Sequence, residues 1–261
     1  MHLTISGLNE HTTENELMTL FSGIGSVESI KIIRDINTGK SKGFAIIEMP
    51  VDAEVQEAIN KFHGSIWDER KLAVFKMPRV LPGEMEFRIW LNDNAHFLLR
   101  KIGVSYEQKV MDFGCGPGIF SLASADIVGP NGKVYAMDTR SNALERLKET
   151  ASKKGLANIE PMLLDKAAVS IFLPDKSVDV ILLYDVLQEI TDKPALIKEL
   201  HRILRPNGFL SIFPMHMGTE KCIALIANLA VFELRDSYCP PGLQSMSDIL
   251  NFIRSNSTAN R

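Results

Sequence analysis

An acidic residue and three glycines alternate in one short run, Asp112-Phe113-Gly114-Cys115-Gly116-Pro117-Gly118. Gly114 suits a sharp turn, Gly116 lets the backbone approach a ligand, and Gly118 lets the next helix pack closely with its N–H groups aimed at an anion. Glycines alone also serve ordinary turns, so the run gains meaning from the residues downstream of it. About twenty residues on, Val134-Tyr135-Ala136-Met137-Asp138 ends in a carboxylate able to accept both hydroxyls of a ribose. Further along, Leu164-Asp165-Lys166-Ala167 and Val178-Asp179-Val180-Ile181-Leu182-Leu183-Tyr184 place polar or aromatic residues at the ends of apolar runs.

Two residues could move a proton: Asp185, directly after Tyr184, and His216, after the apolar run Phe209-Leu210-Ser211-Ile212-Phe213. Both stand beyond a strand's carboxyl end, where α/β proteins gather their sites. The alternatives are a helix cap for Asp185 and an ordinary loop position for His216. Cys115 lies in the glycine loop and Cys222 on a helix, so neither follows a proline as a cytosine-attacking nucleophile would; Cys239 precedes prolines. No Asp/Asn-Pro-Pro-aromatic run follows the fourth strand, which disfavours amino methylation of adenine by that route. The cysteines lack metal-ligand spacing, and no metal is expected.

These residues need a scaffold. From Glu86 the apolar period is helical, with Phe87, Trp90, Leu91, Ala95, Leu98 and Ile102 on one face. Strands then alternate with helices: strands near 109–112, 133–138, 159–164, 178–183 and 209–213, and helices near 118–127, 141–154, 192–204 and 218–231. That alternation predicts a doubly wound, mostly parallel sheet. Residues 232–237 and 250–254 would form a closing hairpin, with Pro240, Pro241 and Gly242 imposing an irregular connection between them.

Taken together, the Asp-x-Gly-x-Gly-x-Gly loop, Leu164-Asp165-Lys166-Ala167, Leu173-Pro174-Asp175-Lys176-Ser177-Val178-Asp179 and Glu199-Leu200-His201-Arg202-Ile203-Leu204-Arg205-Pro206-Asn207-Gly208 resemble the class I, Rossmann-like S-adenosylmethionine-dependent methyltransferases over 86–215. Asp138 taken alone would suit NAD as well; the combination favours S-adenosylmethionine. The resemblance implies that Asp112, Phe113, Gly114, Cys115, Gly116 and Gly118 surround the methionine and ribose portions and that Asp138 holds the ribose diol. It implies too that Asp165 meets the adenine amino group and that Lys166 offers its backbone to the adenine with its side chain toward solvent. Tyr184 would line the methyl donor site. The reaction is an in-line displacement at a sulfonium methyl, which needs alignment and a dry site, and a base only when the acceptor starts protonated.

Residues 1–78 read differently, as strand, helix, strand, strand, helix, strand. Thr13 and Glu16 have the spacing of a capping box ahead of the apolar stripe Leu17, Leu20, Phe21 and Ile24, and a second helix from Asp52 would bury Val55, Ala58, Ile59 and Phe62. Strands are expected at 3–6, 27–33, 44–48 and 71–75, with Asn37-Thr38-Gly39 as a turn. The stretch Arg34 to Met49 resembles the loop and third strand of the RNA recognition motif, a ferredoxin-like βαββαβ domain, with Lys42-Gly43-Phe44-Ala45-Ile46-Ile47-Glu48-Met49 as its longer signature. That resemblance implies single-stranded RNA on Phe44, with Lys31, Arg34, Lys40 and Lys42 as a phosphate track. Ile46 and Thr4 stand where the family carries further stacking aromatics, and through residue 79 nine basic side chains face eleven acidic ones. A protein contact or homodimer surface is the alternative role. Residues 79–85, holding Pro82 and Gly83, would link this domain to the second one, 86–261.

Length and composition agree with two cores: 261 residues, 45% of them apolar. A net charge of −3 and a pI near 6.1 provide no global field for nucleic acid or an anionic membrane, so DNA and membrane are not expected as partners. Three scattered cysteines and no leader or spanning segment point to a soluble protein of the reducing cytoplasm. Three functions fit: a methyltransferase with RNA delivered by the first domain, a small-molecule methyltransferase whose first domain is an interface, and a non-catalytic RNA-binding regulator that senses the cofactor.

Overall fold

The computed structural model of the protein describes residues 2–34, 38–77, 84–165, 170–239 and 248–255. The chain forms two compact units that part between Trp90 and Leu91. The first unit holds β1 (His2–Ser6), α1 (Glu14–Ser22), β2 (Ser29–Arg34), β3 (Ser41–Glu48), α2 (Asp52–Phe62), β4 (Ile66–Trp67), β5 (Arg70–Lys71) and β6 (Ala73–Met77). Its main sheet runs β2-β3-β1-β6, all neighbours antiparallel.

Alternation along these strands decides which face is covered. Leu3, Ile5, Ala45, Ile47 and Val74 are fully buried with Leu17 and Phe21 of α1 and Val55 and Ala58 of α2. Leu20, Ile24 and Ile59 are only partly buried against this core. The capping box forms as expected: Thr13 N–H donates to Glu16 Oε2 at 2.8 Å while Glu16 N–H donates back to Thr13 Oγ1 at 3.3 Å. Two differences from the expected strands share one cause. Asp68 and Glu69 both take positive φ (49° and 62°), folding Ile66–Lys71 into a short hairpin, so the last strand starts at Ala73 and not at Lys71. Asn37 lies outside the described residues, and Gly39 takes the left-handed φ of 69° that a turn requires.

Helix α3 (Glu84–Ile102) begins within the expected linker, at its sixth position; 79–83 lie outside the described residues. The second unit then continues β7 (Lys109–Phe113), α4 (Ile119–Val128), β8 (Lys133–Asp138), α5 (Ser141–Lys153), β9 (Ile159–Leu163), β10 (Val178–Tyr184), α6 (Lys193–Ile203), β11 (Leu204–Phe213), α7 (Thr219–Asn228), β12 (Phe232–Tyr238) and β13 (Ile249–Arg254). The sheet order is β12-β13-β11-β10-β7-β8-β9. Strands β7 to β11 are parallel, and β13 runs antiparallel to both β11 and β12. The sheet is therefore doubly wound with its order reversing beside β7, and the carboxyl ends of β7, β8 and β10 meet at that switch point.

The sheet interior reads as near-continuous apolar runs: Val180, Ile181, Leu182 and Leu183 are all fully buried, as a parallel strand covered on both faces requires. Strand β11 starts five residues before the expected 209. Leu204 already pairs with Val178 before the register shifts, and Arg205 donates to Asp179 Oδ1 at 2.6 Å, which holds the irregular stretch in place. Residues 240–242, expected to break the closing hairpin, lie outside the described residues. No helix among the described residues is long and apolar enough to cross a membrane.

Candidate functional site

The glycine loop is held by backbone bonds before any ligand is considered. The N–H groups of Gly114 and Cys115 both donate to Met137 O at 2.8 Å, and Gly118 N–H donates to Cys115 O at 2.9 Å. Gly114, Gly116 and Gly118 take φ of 80°, 53° and 86°, where a side chain would be strained. Their surroundings differ. A Cβ on Gly114 would stand 2.8 Å from Val186 and one on Gly118 only 2.4 Å from Leu147, whereas one on Gly116 would meet nothing nearer than Arg140 Nη2 at 3.6 Å. Gly114 and Gly118 are thus closed by packing, and Gly116 is the open member. Gly118 caps α4 without a side-chain bond, and the Ser121 N–H turns to the Asp112 carboxylate, which leaves the N–H groups of Ile119 and Phe120 for an anion or a polar ligand.

The two acids end up in unlike places. Asp112 is 2% exposed beneath the loop, where Ser121 Oγ donates to its Oδ2 at 2.5 Å; burial pushes its carboxyl up to about 6. Its first effect is to tie β7 to α4. Asp138 is buried at the end of β8, its Oδ2 receiving Gly116 N–H at 2.8 Å and its Oδ1 receiving Arg140 N–H at 2.9 Å. Arg140 also brings its guanidinium across, Nε to Oδ1 at 3.0 Å and Nη2 to Oδ2 at 3.2 Å. Burial raises the Asp138 pKa, but the hydrogen bonds and charge from Arg140 and the Gly116 N–H outweigh it and hold the carboxyl below its usual range. Sequence reasoning missed Arg140; only the Asp-x-Arg spacing hinted at a partner.

The remaining expected residues fall around this centre. Phe113 and Cys115 are buried, and burial drives the Cys115 thiol well above its ordinary range, so it is no nucleophile. Asp165 is exposed just past β9, and Lys166 lies outside the described residues. Tyr184 is buried at the end of β10, its ring edge-on to Phe120 at 4.7 Å and its hydroxyl 2.9 Å from Ser211 Oγ. The two proton-transfer candidates come together: His216 Nε2 stands 3.3 Å from Asp185 Oδ1. Asp185 does not cap a helix. Its Oδ1 receives Gln188 Nε2 at 3.0 Å, and the short 3-10 turn Leu187–Glu189 has no side-chain cap. Among the described residues no group of three His, Cys, Asp or Glu side chains could hold a metal ion.

In the first unit, Lys31, Ile46, Thr4 and Phe75 pair in one row across β2, β3, β1 and β6, on the face opposite the buried Leu3, Ile5 and Ala45. Phe44, half-buried, lies one row along, opposite Ser6. Phe75, 55% exposed and edge-on to the His63 ring at 4.8 Å, is an aromatic on that face which sequence reasoning passed over. Of the expected phosphate contacts, Arg34 pairs with Glu14 at 3.5 Å, Lys31 and Lys40 are exposed, and Lys42 is half-buried.

Residues 105–228 match a family model described as a methyltransferase domain, and residues 3–73 match one described as an RNA recognition motif. The demethylmenaquinone methyltransferase of Geobacillus stearothermophilus is 32% identical over 111 residues, 42% of this chain and 47% of that enzyme. The ubiquinone/menaquinone biosynthesis C-methyltransferase UbiE of Francisella philomiragia is 28% identical over 174 residues, 66% of this chain and 65% of that enzyme. The matches span from about half to two thirds of these curated relatives' length. Among solved structures, a SAM-dependent methyltransferase from Aquifex aeolicus superposes with a TM-score of 0.55 at 22% identity, covering 67% of this chain and all of that one, a likeness of fold.

Proposed function

We infer that this chain, an RNA recognition motif joined to a Rossmann-like methyltransferase domain, works as an S-adenosylmethionine-dependent methyltransferase whose acceptor is a small hydroxylated aromatic molecule. S-adenosylmethionine, when bound, supplies an electrophilic sulfonium methyl. The residues present suit it. Asp138 offers carboxylate oxygens for a ribose diol, Gly116 leaves the open approach, and the start of α4 offers the N–H groups of Ile119 and Phe120. Arg140 must swing off Asp138 to make room, and its side chain, 62% exposed, can do so without disturbing the core. Asp165 would meet the adenine amino group, with the backbone of Lys166 along the ring. Tyr184 and Phe120 form an aromatic wall beside the loop.

The acceptor class rests on one observation: the relatives sharing the methyltransferase segment are named for quinone methylation. Incubating the full chain with S-adenosylmethionine and a short-chain demethylmenaquinol should yield the methylated product by mass spectrometry. Failure to bind the cofactor in calorimetry would remove the reading altogether.

A second reading keeps RNA. Phe44 and Phe75 share one open sheet face with Lys31, which supports stacking of two bases, each worth about 1–3 kcal/mol. RNA would then recruit the enzyme or serve as its acceptor. Tritium transfer to total RNA by the full chain, compared with a Phe44→Ala/Phe75→Ala variant, tests it: equal labelling would count against delivery by this face.

A further inference from the structure

We propose that Asp185 and His216 form a proton-accepting pair at the mouth of the cofactor cleft, so that the acceptor is one that arrives protonated, a hydroxyl-bearing arene, and not a neutral amine. The proposal rests on the methyltransferase reading above and deepens it.

The geometry carries the argument. Asp185 follows β10 and His216 follows β11 three residues past Phe213, and the parallel pairing of these strands brings their ends side by side. Asp185 takes a left-handed φ of 55°, a conformation that costs about 1 kcal/mol or more in a non-glycine residue and persists where its surroundings impose it. Here the surroundings are visible. Asp185 N–H donates to Phe213 O at 2.9 Å, continuing the sheet ladder for one more step. Gln188 Nε2 donates to both Asp185 O at 2.9 Å and Oδ1 at 3.0 Å, clasping backbone and carboxylate together. So fixed, the carboxylate stands 3.3 Å from His216 Nε2.

The residues flanking Asp185 in the chain touch the cofactor loop and the start of α4. Val186, next to Asp185, is the side chain that closes over Gly114 of the cofactor loop, and Tyr184, on the other side, packs on Phe120 at the start of α4. His216 is 34% exposed and Asp185 20%, so the imidazole is reachable while the carboxylate is largely covered. This is the arrangement in which a carboxylate orients an imidazole and stabilises the imidazolium that forms. A neutral amine brings its own lone pair and needs no such group.

The step balances. The acceptor's O–H bond breaks, its proton passes to the His216 imidazole, and the electron pair stays on oxygen. That pair, or the ring carbon it activates, forms the new bond to the methyl carbon while the carbon–sulfur bond breaks with its electrons retained by sulfur. For a ring-carbon acceptor the displaced ring hydrogen returns to the oxygen, so one proton remains on His216 and is released to water. His216 is the catalytic residue in this scheme; Asp185 and Gln188 are positioning residues.

The test uses the full chain with S-adenosylmethionine and a short-chain demethylmenaquinol, and calorimetry with S-adenosylhomocysteine as a readout independent of turnover. His216→Ala should lower kcat by about 10²–10⁴-fold, leave KM and the cofactor dissociation constant within about twofold, and recover activity in added imidazole. Asp185→Asn should lower kcat with KM unchanged, and should not respond to imidazole. A His216→Ala kcat within threefold of wild type, or no imidazole rescue in a variant that still binds the cofactor, overturns the proposal. So does a wild-type chain that binds the cofactor and methylates a neutral secondary amine but not the hydroquinone. Loss of cofactor binding by the wild-type chain would instead bring down the methyltransferase reading beneath it.

Discussion

Asp112 and Asp138 end adjacent strands of one sheet, and their different solvation gives each a different job. Asp112 is fully enclosed, and its burial outweighs the hydroxyl and backbone N–H that Ser121 directs at it, so its carboxyl rises to about 6 from an ordinary 3.8. A carboxyl raised in the folded state favours folding most below its unfolded pKa, and that contribution is lost as pH climbs from about 4 through about 6. The loss is of order 2–3 kcal/mol. Asp112→Asn should therefore be the more stable form at pH 7, with the advantage shrinking toward pH 4; urea unfolding at several pH values would show it. An advantage that did not change with pH would mean the carboxyl titrates normally. At Asp138 the competition is between Arg140 and a ribose. The Arg140 side chain is 62% exposed and screened by solvent, whereas ribose hydroxyls enclosed against the same buried carboxylate would give charge-assisted bonds of about 1.5–3 kcal/mol each. The ribose should win. Arg140→Ala is expected to tighten cofactor binding severalfold and Asp138→Ala to weaken it more than about tenfold, both by calorimetry; weaker binding in Arg140→Ala would show that the guanidinium holds the cofactor.

Between elements, the site depends on how closely α4 and α5 approach β7 and β8. Gly118 starts α4 at a φ of 86°, and Leu147 of α5, fully buried, fills the space a side chain there would need. Gly118→Ala should cost about 1–3 kcal/mol, combining backbone strain with overpacking against a residue that has nowhere to move. Denaturant unfolding measures this directly, and a change below about 0.5 kcal/mol would mean the helices separate easily. A second tie acts from α6. Arg202 donates to Ile171 O and Leu173 O, at 3.0 and 2.9 Å, and pairs with Asp175 and Glu199. One guanidinium thereby fixes the segment leading into β10, the strand that delivers Tyr184 and Asp185.

For the molecule as a whole, the net charge of −3 limits what long-range attraction can contribute to any polyanion. If the first domain binds single-stranded RNA, its phosphate contacts come from Lys31, Arg34, Lys40 and Lys42, and Arg34 is already shared with Glu14. Four contacts at most give a slope of log affinity against log salt of about −3 or shallower. Fluorescence anisotropy with a labelled oligonucleotide at several salt concentrations would measure it. A much steeper slope would place the RNA on a different, more basic surface. Most of the affinity should then reside in stacking, and Phe75→Ala should reduce it about as much as Phe44→Ala.

Much of this was written in local sequence. The capping box at Thr13, the glycine loop, Asp138 at a strand end and the closing hairpin of β12 and β13 were each legible, because hydrophobic period, cap chemistry and glycine conformation act over a few residues. Contacts made by strand order were not legible there. Placing β11 beside β10 turns two separate residues, Asp185 and His216, into a pair; placing β6 beside β1 brings Phe75 onto the face of Phe44. The left-handed Asp185 carries no sequence mark, since its conformation is imposed by Gln188 and the neighbouring strand. Local rules thus specified the elements and the donor loop, while long-range pairing decided which side chains meet and what chemistry they can share.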